Sequence, residues 1–433
     1  MLNIAKMLDQ EVQPALGCTE PGAVALAVAR ACEELDTSED LLGISLEISD
    51  SIYKNGMAVG VPGVHGAQGN AVAAALAALC GKSDYGLEVL KDACPEDVIR
   101  AIQWVREGKV HIEHLPERSG VYVQATVTTT QETAACIIER THSNITSVTK
   151  NGSMVFHRDP CVEKNDSPPI SEWIRQASFQ DLYDAANQTT PTDRAYLLEG
   201  VAMNRAIAEY GLHDTNLLVS NYGQSLQASL QNGDCSSDVG YHIRCYCYAA
   251  AEARMAGAQL PVMSSAGSGN SGITSILPVA LVGEALGSKS DDIARAILMS
   301  HLTTSHIKAK VGRLTAICGC AVASGAGAAA GIVLLLGGTV DESARAIRTV
   351  LANTAGMFCD GAKESCALKV GTAAHEAYLA AKFAVCGKGI DKAQGVADQS
   401  VEQTIENVAR INREGMKDVD RVLIEIMDER QSN

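Results

Sequence analysis

The 433-residue chain has few aromatic residues, with four Phe and two Trp and only 4% aromatics in all. It also lacks any cluster of basic residues, and its formal net charge is −16. Because affinity for nucleic acid depends largely on Lys and Arg that contact phosphates, we expect no nucleic-acid partner. A core with so few aromatics must be built from Ala, Val, Leu and Gly, which favours closely packed helices.

The N-terminus, MLNIAKMLDQEV, lacks the apolar core of a signal peptide. We therefore expect a cytoplasmic protein whose 14 cysteines stay reduced. Thiols in this number either pack as small apolar groups or include a subset used for metal binding or catalysis.

Two stretches without charged residues, 255–283 and 314–340, are long enough to cross a membrane. Pro, Gly and polar residues interrupt the first, and Gly and Ala dominate the second. We interpret both as buried segments of a soluble protein with no membrane partner.

The hydrophobic pattern changes at a polar linker that begins at Arg158 and ends at Ser171. Before it, strand patterns at 43–48 and from 109 to 157, with a hairpin turn at Asn151-Gly152, accompany helical patterns at 2–13, 22–35, 71–80 and 96–107. After it, helical periodicity dominates to about residue 429. The sequence thus predicts an α+β domain over residues 1–165 and a largely all-α domain over residues 171–433.

The segment Gly17-Cys18-Thr19-Glu20-Pro21 places a thiol, a hydroxyl and a carboxylate near a predicted helix N-terminus. The helix dipole and the free N–H groups at such a position lower the pKa of a thiol. The alternative is a buried structural cysteine in a turn.

Two further segments carry paired cysteines, Cys318-Gly319-Cys320 and Cys359-x6-Cys366. The first spacing also occurs at Cys245 and Cys247, in a predicted helix interior, so the spacing alone is weak evidence. Three thiolates, from Cys359, Cys366 and either Cys320 or Cys318, suit an iron–sulfur cluster better than a zinc site. A cluster held by three cysteines keeps one iron open as a Lewis acid. The alternative is a set of buried cysteines near a helix start.

The Gly/Ser-rich run 263–273 is predicted to form a turn that leads into a helix. Its backbone N–H groups and hydroxyls are typical of a carboxylate or phosphate site. Nucleotide binding is disfavoured because the run lacks the Lys of a P-loop. An ordinary Gly-rich loop is the alternative.

Together these motifs resemble those of the L-cysteine desulfidase family, which is related to the α-chain of iron–sulfur L-serine dehydratases. The resemblance extends from Cys18 to about Gly371. It is carried by Leu-Gly-Cys-Thr-Glu-Pro at 16–21, Asn-Gly-Met-Ala-Val-Gly-Val-Pro-Gly at 55–63, Ser-Ser-Ala-Gly-Ser-Gly-Asn at 264–270, and the two paired-cysteine segments.

The resemblance implies an α+β domain joined to an all-helical domain, and an oxygen-sensitive [4Fe–4S] lyase acting on a small amino acid. For L-cysteine, elimination of the β-substituent gives sulfide, pyruvate and ammonium. The implied cluster ligands are Cys359, Cys366 and one of the 318/320 pair. Cys320 is preferred because Gly319-Cys320 followed by Gly325 is similar to the dehydratase pattern. The implied proton acceptor is Cys18.

For the substrate carboxylate we expect donors from Ser265, Ser268 and Asn270, with Asn55 added from the first domain. Lys308 and Arg313 are charge partners in the site or form structural pairs. Two other functions remain open: an L-serine dehydratase with the same cluster, and a non-catalytic thiol-rich protein that binds metal or senses redox state. The sequence also leaves the oligomeric state open, a homo-oligomer included.

Overall fold

The computed structural model describes residues 2–36, 40–61, 67–118, 120–158, 169–214, 220–234 and 238–431. The first part of the chain contains α1 (Ile4–Glu11), β1 (Pro14–Leu16), α2 (Thr19–Cys32), β2 (Leu41–Ser49), α3 (Asp50–Gly56), α4 (Asn70–Cys80), a 3₁₀ helix (Ser83–Glu88), α5 (Pro95–Arg106), β3 (Val110–Leu115), β4 (Tyr122–Thr129), β5 (Thr133–Glu139), β6 (Ile145–Lys150) and β7 (Ser153–His157).

The second part contains α6 (Ile170–Gln176), α7 (Phe179–Ala186), α8 (Pro191–His213), α9 (Tyr222–Asn232), α10 (Val239–Met255), β8 (Pro261–Met263), α11 (Gly269–Ala285), α12 (Ser290–Val311), α13 (Val322–Leu335), α14 (Val340–Thr354), α15 (Cys366–Val385), α16 (Val401–Arg410), a π-helical turn (Ile411–Gly415) and α17 (Val419–Gln431). The predicted fold class, an α+β part followed by a largely helical part, is confirmed.

The six strands β2 to β7 form one mixed sheet in the order β3-β2-β4-β5-β6-β7. Strands β2 and β3 are parallel, and the other neighbours are antiparallel. Alternation along β2 buries Ile44, Leu46 and Ile48 on the face that α2 and α4 cover. The predicted strand patterns are confirmed, as is the hairpin turn at Asn151-Gly152, where both residues have positive φ.

Helix α2 begins at Thr19, three residues before the predicted start. Cys18 is its N-cap residue and Pro21 lies in its first turn, where a missing N–H breaks no intrahelical hydrogen bond. The preceding Gly17 has φ +68°, a conformation that glycine adopts without strain.

Small residues let the helices of the second part approach closely, as the composition predicted. Helix α13 is the central example, since its Gly327 lies against α12 so tightly that a Cβ would stand 2.3 Å from Thr304 Oγ1. Within the described ranges, no helix has the length and apolar content to cross a lipid bilayer.

Residues 2–16 contact the second part of the chain. Met7 and Leu8 of α1 belong to the hydrophobic cluster formed by the later helices. Strand β1 pairs antiparallel with β8, with Pro14 opposite Met263. Cys18 therefore follows directly after a strand that is anchored on the second part. The division into domains 1–165 and 171–433 stays a prediction, since residues 159–168 lie outside the described ranges.

Candidate functional site

A cavity of about 160 Å³ lies between the two parts of the chain, large enough for a small organic ligand. Most of the predicted site residues line it, although they are far apart in the sequence. The predicted residues in its wall are Cys18, Asn55, Ser268, Asn270, Cys318, Cys320, Cys359 and Cys366. Ser265, the other predicted site residue, is not among the described residues that line the cavity.

Cys18 stands in this wall at the N-terminus of α2, where it is 5% exposed. Its Sγ donates a hydrogen bond to Glu20 Oε2 at 2.8 Å, and Thr19 Oγ1 donates to the same oxygen at 3.1 Å. Burial, and next the negative charge of Glu20, raise the pKa of Cys18 well above its ordinary value. The prediction of a lowered pKa is therefore wrong, because desolvation and a neighbouring carboxylate outweigh the helix N-terminus.

The Glu20 carboxylate is buried but stays ionised. Burial raises its pKa, but His142, the Cys18 thiol and Arg254 outweigh burial, and the net pKa is lowered. His142 comes from the loop between β5 and β6, and its Nε2 lies 4.0 Å from Glu20 Oε1. His142 and Arg254 were not among the predicted site residues. No local motif marks either residue, and only the tertiary fold brings them to Glu20.

The segment Cys318-Gly319-Cys320 lies in the loop before α13, next to the loop before α15. The backbone N–H of Cys318 donates to Met357 O at 2.9 Å, and that of Cys359 donates to Ala316 O at 2.6 Å. This short bridge between two loops places both paired-cysteine segments in one wall of the cavity.

Cys320 has the environment of a thiolate. A hydrogen bond from Cys318, followed by the Lys308 ammonium and the Ser268 hydroxyl, lowers the pKa of Cys320 to about 5 against the opposing effect of burial. Ser268 Oγ lies 3.4 Å from Cys320 Sγ. The pKa of Cys318 is raised, first by its hydrogen bond to Cys320 and then by burial. These contacts favour Cys320 over Cys318 as the ligand, and the choice between them stays a prediction.

Cys359 and Cys366 flank the loop that leads into α15. Cys359 Sγ lies 3.7 Å from Asn55 Oδ1, and the buried Lys54 donates from Nζ to the Cys359 carbonyl at 3.0 Å. Burial raises the pKa of both thiols, that of Cys366 to about 11. Gly361 has φ +92°, and a Cβ there would stand 2.6 Å from Lys54 O, so only glycine fits the loop against α3.

Cys320, Cys359 and Cys366 are thiols of the cavity wall that could hold a metal cluster. Among the described residues, no three His, Cys, Asp or Glu side chains stand close enough together to bind one ion. A cluster of four irons spreads its thiolate ligands farther apart than one ion does. The ammonium groups of Lys54, Lys308 and Lys369 act on the thiols electrostatically and offset the charge of thiolate ligands.

The Gly/Ser-rich run forms the predicted turn and helix start, with Ser268 as the N-cap of α11. Asn270 Oδ1 accepts a hydrogen bond from Arg254 Nη1 at 3.0 Å. Ser265 is fully buried, and its hydroxyl lies 2.8 Å from His301 Nδ1 instead of facing the cavity. Ser268 and Asn270 thus reach the cavity wall, whereas the structure does not bring Ser265 there.

Lys308 and Arg313 both line the cavity and both have structural partners. Lys308 Nζ donates to Ala266 O at 3.0 Å and to Ser271 Oγ at 3.3 Å, which fixes the Gly/Ser-rich run beside Cys320. Arg313 forms an ion pair with the buried Glu11.

The remaining cysteines include Cys245 and Cys247, which lie inside α10 as predicted. Both are buried, and Cys245 Sγ donates to Gly223 O at 3.3 Å. Cys161 and Cys235 lie outside the described residues.

Comparison with known proteins covers nearly the whole chain. A family model described as serine dehydratase alpha chain matches residues 84–425, which include the 318–320 and 359–366 segments. A UPF0597 protein of Kosmotoga olearia is 39% identical over 435 residues, with 99% of each chain covered. UPF0597 proteins of Nitratidesulfovibrio vulgaris and Desulfatibacillum aliphaticivorans are each 38% identical, with 99% of this chain covered and 99% and 98% of theirs. The chain therefore belongs to the serine dehydratase alpha-chain family.

Proposed function

We propose that this protein is a [4Fe–4S]-dependent lyase that eliminates the β-substituent of an L-amino acid, with L-cysteine as the substrate. The products are sulfide, pyruvate and ammonium. One observation carries the proposal. Cys18 and the cysteines of two distant segments, 318–320 and 359–366, converge on a single cavity that also contains several cationic side chains. Family membership supports a lyase.

Cys320, Cys359 and Cys366 would hold the cluster. Their fit rests on their common cavity and on the low pKa of Cys320, since thiolates are the ligands of iron–sulfur clusters. The cluster, when bound, supplies an open iron that acts as a Lewis acid towards the leaving group. Nearby ammonium groups, above all that of Lys308, stabilise the thiolate form of these ligands.

Cys18 would take the proton from the α-carbon of the substrate. The thiol proton of Cys18 passes to Glu20 Oε2 along the existing 2.8 Å hydrogen bond as Sγ removes the α-proton, so no free thiolate forms beside the ionised carboxylate. At the end of this step Cys18 is again a thiol, Glu20 is protonated, and the electron pair of the C–H bond can expel the β-substituent.

The substrate carboxylate would bind near Ser268, Asn270 and Asn55, as the sequence predicted. Arg254 supports this end of the cavity because its guanidinium is buried and holds Asn270 in place. Carboxylates gain most from charge-assisted hydrogen bonds in such buried positions.

L-Serine dehydration is the second candidate, and membership of the serine dehydratase alpha-chain family favours it. Hydroxide is a poorer leaving group than sulfide, but the same residues could serve either elimination. A third candidate, a non-catalytic metal-binding or redox-sensing protein, would bind iron without forming pyruvate.

The test is a set of measurements on protein purified without oxygen. We expect a brown protein with about four iron and four labile sulfide atoms per chain, which releases sulfide and pyruvate in equal amounts from L-cysteine. Faster pyruvate formation from L-serine would instead support the dehydratase. A colourless, iron-free protein after anaerobic reconstitution would overturn the proposal altogether.

A further inference from the structure

The two oxygens of Glu20 face different groups. Oε2 accepts hydrogen bonds from Cys18 Sγ and Thr19 Oγ1. Oε1 is turned towards His142 Nε2, 4.0 Å away, which is too far for a hydrogen bond. Both residues line the cavity. Glu20 thus has one oxygen hydrogen-bonded to Cys18, and its other oxygen faces an imidazole nitrogen without a hydrogen bond between them.

His142 is 8% exposed, and its Nε2 has no hydrogen-bond partner among the described residues. A buried polar atom without a partner costs free energy unless a ligand or water satisfies it. Burial lowers the pKa of His142, although Glu20 opposes this effect. The ring is therefore neutral near pH 7, and one of its nitrogens can accept a hydrogen bond.

We propose that Glu20 Oε1 and His142 Nε2 together bind the α-ammonium group of the amino-acid substrate, an inference that rests on the proposed function. One ammonium nitrogen fits about 2.9 Å from each of two acceptors that stand 4.0 Å apart. The ammonium donates one proton to each acceptor, and the carboxylate of Glu20 balances its charge.

The charges around the cavity orient the substrate in the same sense. Arg254, Lys308 and Arg313 line the same cavity and act on His142 electrostatically. A substrate carboxylate placed at Oε1 would be repelled by the charge of Glu20, whereas an ammonium group there is attracted by it. The carboxylate group of the zwitterionic substrate then faces the three cationic side chains.

This placement also brings the reacting carbon to Cys18. The ammonium nitrogen is bonded to the α-carbon, and the other oxygen of Glu20 holds the Cys18 sulfur. Glu20 would therefore bind both the ammonium group and the base, which sets the α-proton next to Sγ. An α-hydroxy acid or a simple carboxylic acid lacks the ammonium group and would not be held this way.

The test compares L-alanine with propanoate, which differ only in the ammonium group and have no β-substituent to eliminate. Dissociation constants are measured by calorimetry on the anaerobically reconstituted protein. We expect L-alanine to bind more tightly than propanoate. Glu20→Gln should reduce this preference about 10- to 100-fold, as expected for loss of a charged partner in a buried hydrogen bond. His142→Leu should reduce it about 3- to 10-fold.

Two variants serve as controls. Glu11→Gln removes the same charge from another buried residue of the cavity wall and should leave the ratio of the two dissociation constants unchanged. His142→Gln keeps an acceptor and should retain more of the preference than His142→Leu. An unchanged ratio in Glu20→Gln, or an equal loss in Glu11→Gln, would overturn the inference.

Failure of this inference differs from failure of the proposed function. If the wild-type protein releases sulfide from L-cysteine but the ratio does not depend on Glu20, only the ammonium site is wrong. If L-cysteine and L-serine are both inert but the preference for L-alanine requires Glu20, the ammonium site stands and the proposed reaction is wrong.

Discussion

Two regions of the molecule contain cysteine pairs with the same spacing in different environments. Cys245 and Cys247 lie inside α10, where burial raises the pKa of both thiols, that of Cys245 to about 12. Cys318 and Cys320 lie in a loop at the cavity, where the pKa of Cys320 falls to about 5. We refer to the first pair as the packing thiols and to the second as the cavity thiols.

The backbone conformation and the neighbouring side chains, rather than the spacing, therefore decide whether a thiol of such a pair ionises. A helix interior hydrogen-bonds its own backbone groups, so a thiol there meets mainly apolar side chains. In the loop, Cys318, Ser268 and Lys308 all stabilise the Cys320 thiolate. The following predictions test this comparison.

The largest expected difference is in alkylation of the iron-free protein by iodoacetamide. Only the thiolate reacts, so at pH 7 Cys320 should react more than about 1000-fold faster than Cys245. Below pH 5 its rate should fall, because Cys320 is then protonated. Mass spectrometry of digested protein measures each rate. Equal alkylation rates for Cys320 and Cys245 in the folded protein would show that their environments do not set their reactivity apart.

Among the cysteines of the cavity wall, Cys18 should differ in role from the cluster ligands. Cys18→Ser should lower turnover of L-cysteine about 10²- to 10⁴-fold, the usual contribution of a general base. The iron content should stay at the wild-type value. If Cys18→Ser bleaches the protein instead, Cys18 is a ligand and the division between base and ligands is wrong.

The iron content of serine variants distinguishes the cavity thiols from the packing thiols. Cys320→Ser should lose most of the iron after anaerobic reconstitution, because a serine hydroxyl is a poor ligand for a cluster. Cys245→Ser, a matched change in a packing thiol, should keep it. Cys318→Ser should also keep most of its iron, and if it does not, the ligand is Cys318 or both cysteines take part. Iron per chain is measured by atomic absorption.

Those parts of the fold and of the candidate site that depend on local sequence signals could be predicted. Alternating apolar residues define strands such as β2, and Asn151-Gly152 defines the hairpin turn between β6 and β7, because these signals are local. The cysteines of the cavity wall could also be selected, since Gly319 and the polar loop before Cys366 mark them as lying outside helix interiors.

The rest depends on contacts between distant segments. His142 is one histidine in a hairpin loop, and nothing near it in the chain indicates that it faces Glu20. Ser265 is adjacent to Ser264 and close to Ser268, yet its hydroxyl lies 2.8 Å from His301 Nδ1, a residue of the distant helix α12. The raised pKa of Cys18 could not be predicted, because its own burial and the ionised Glu20 beside it are properties of the fold.

The smallest expected effect concerns the support of Cys359 from the C-terminal helix. Lys54 Nζ contacts the Cys359 carbonyl at 3.0 Å and Asp420 of α17 at 2.6 Å, and the Lys54 side chain is only 1% exposed. Asp420→Asn removes the charge partner of Lys54, so the loop at Cys359 should open more often. Release of iron to a chelator should accelerate about fivefold, consistent with an ion pair worth ~1 kcal/mol. Asp418→Asn, which breaks an exposed pair with Arg421 on the same helix, should leave the rate unchanged. If both variants release iron at the wild-type rate, α17 does not support the loop at Cys359, and the contacts within that loop alone set Cys359 apart from the packing thiols.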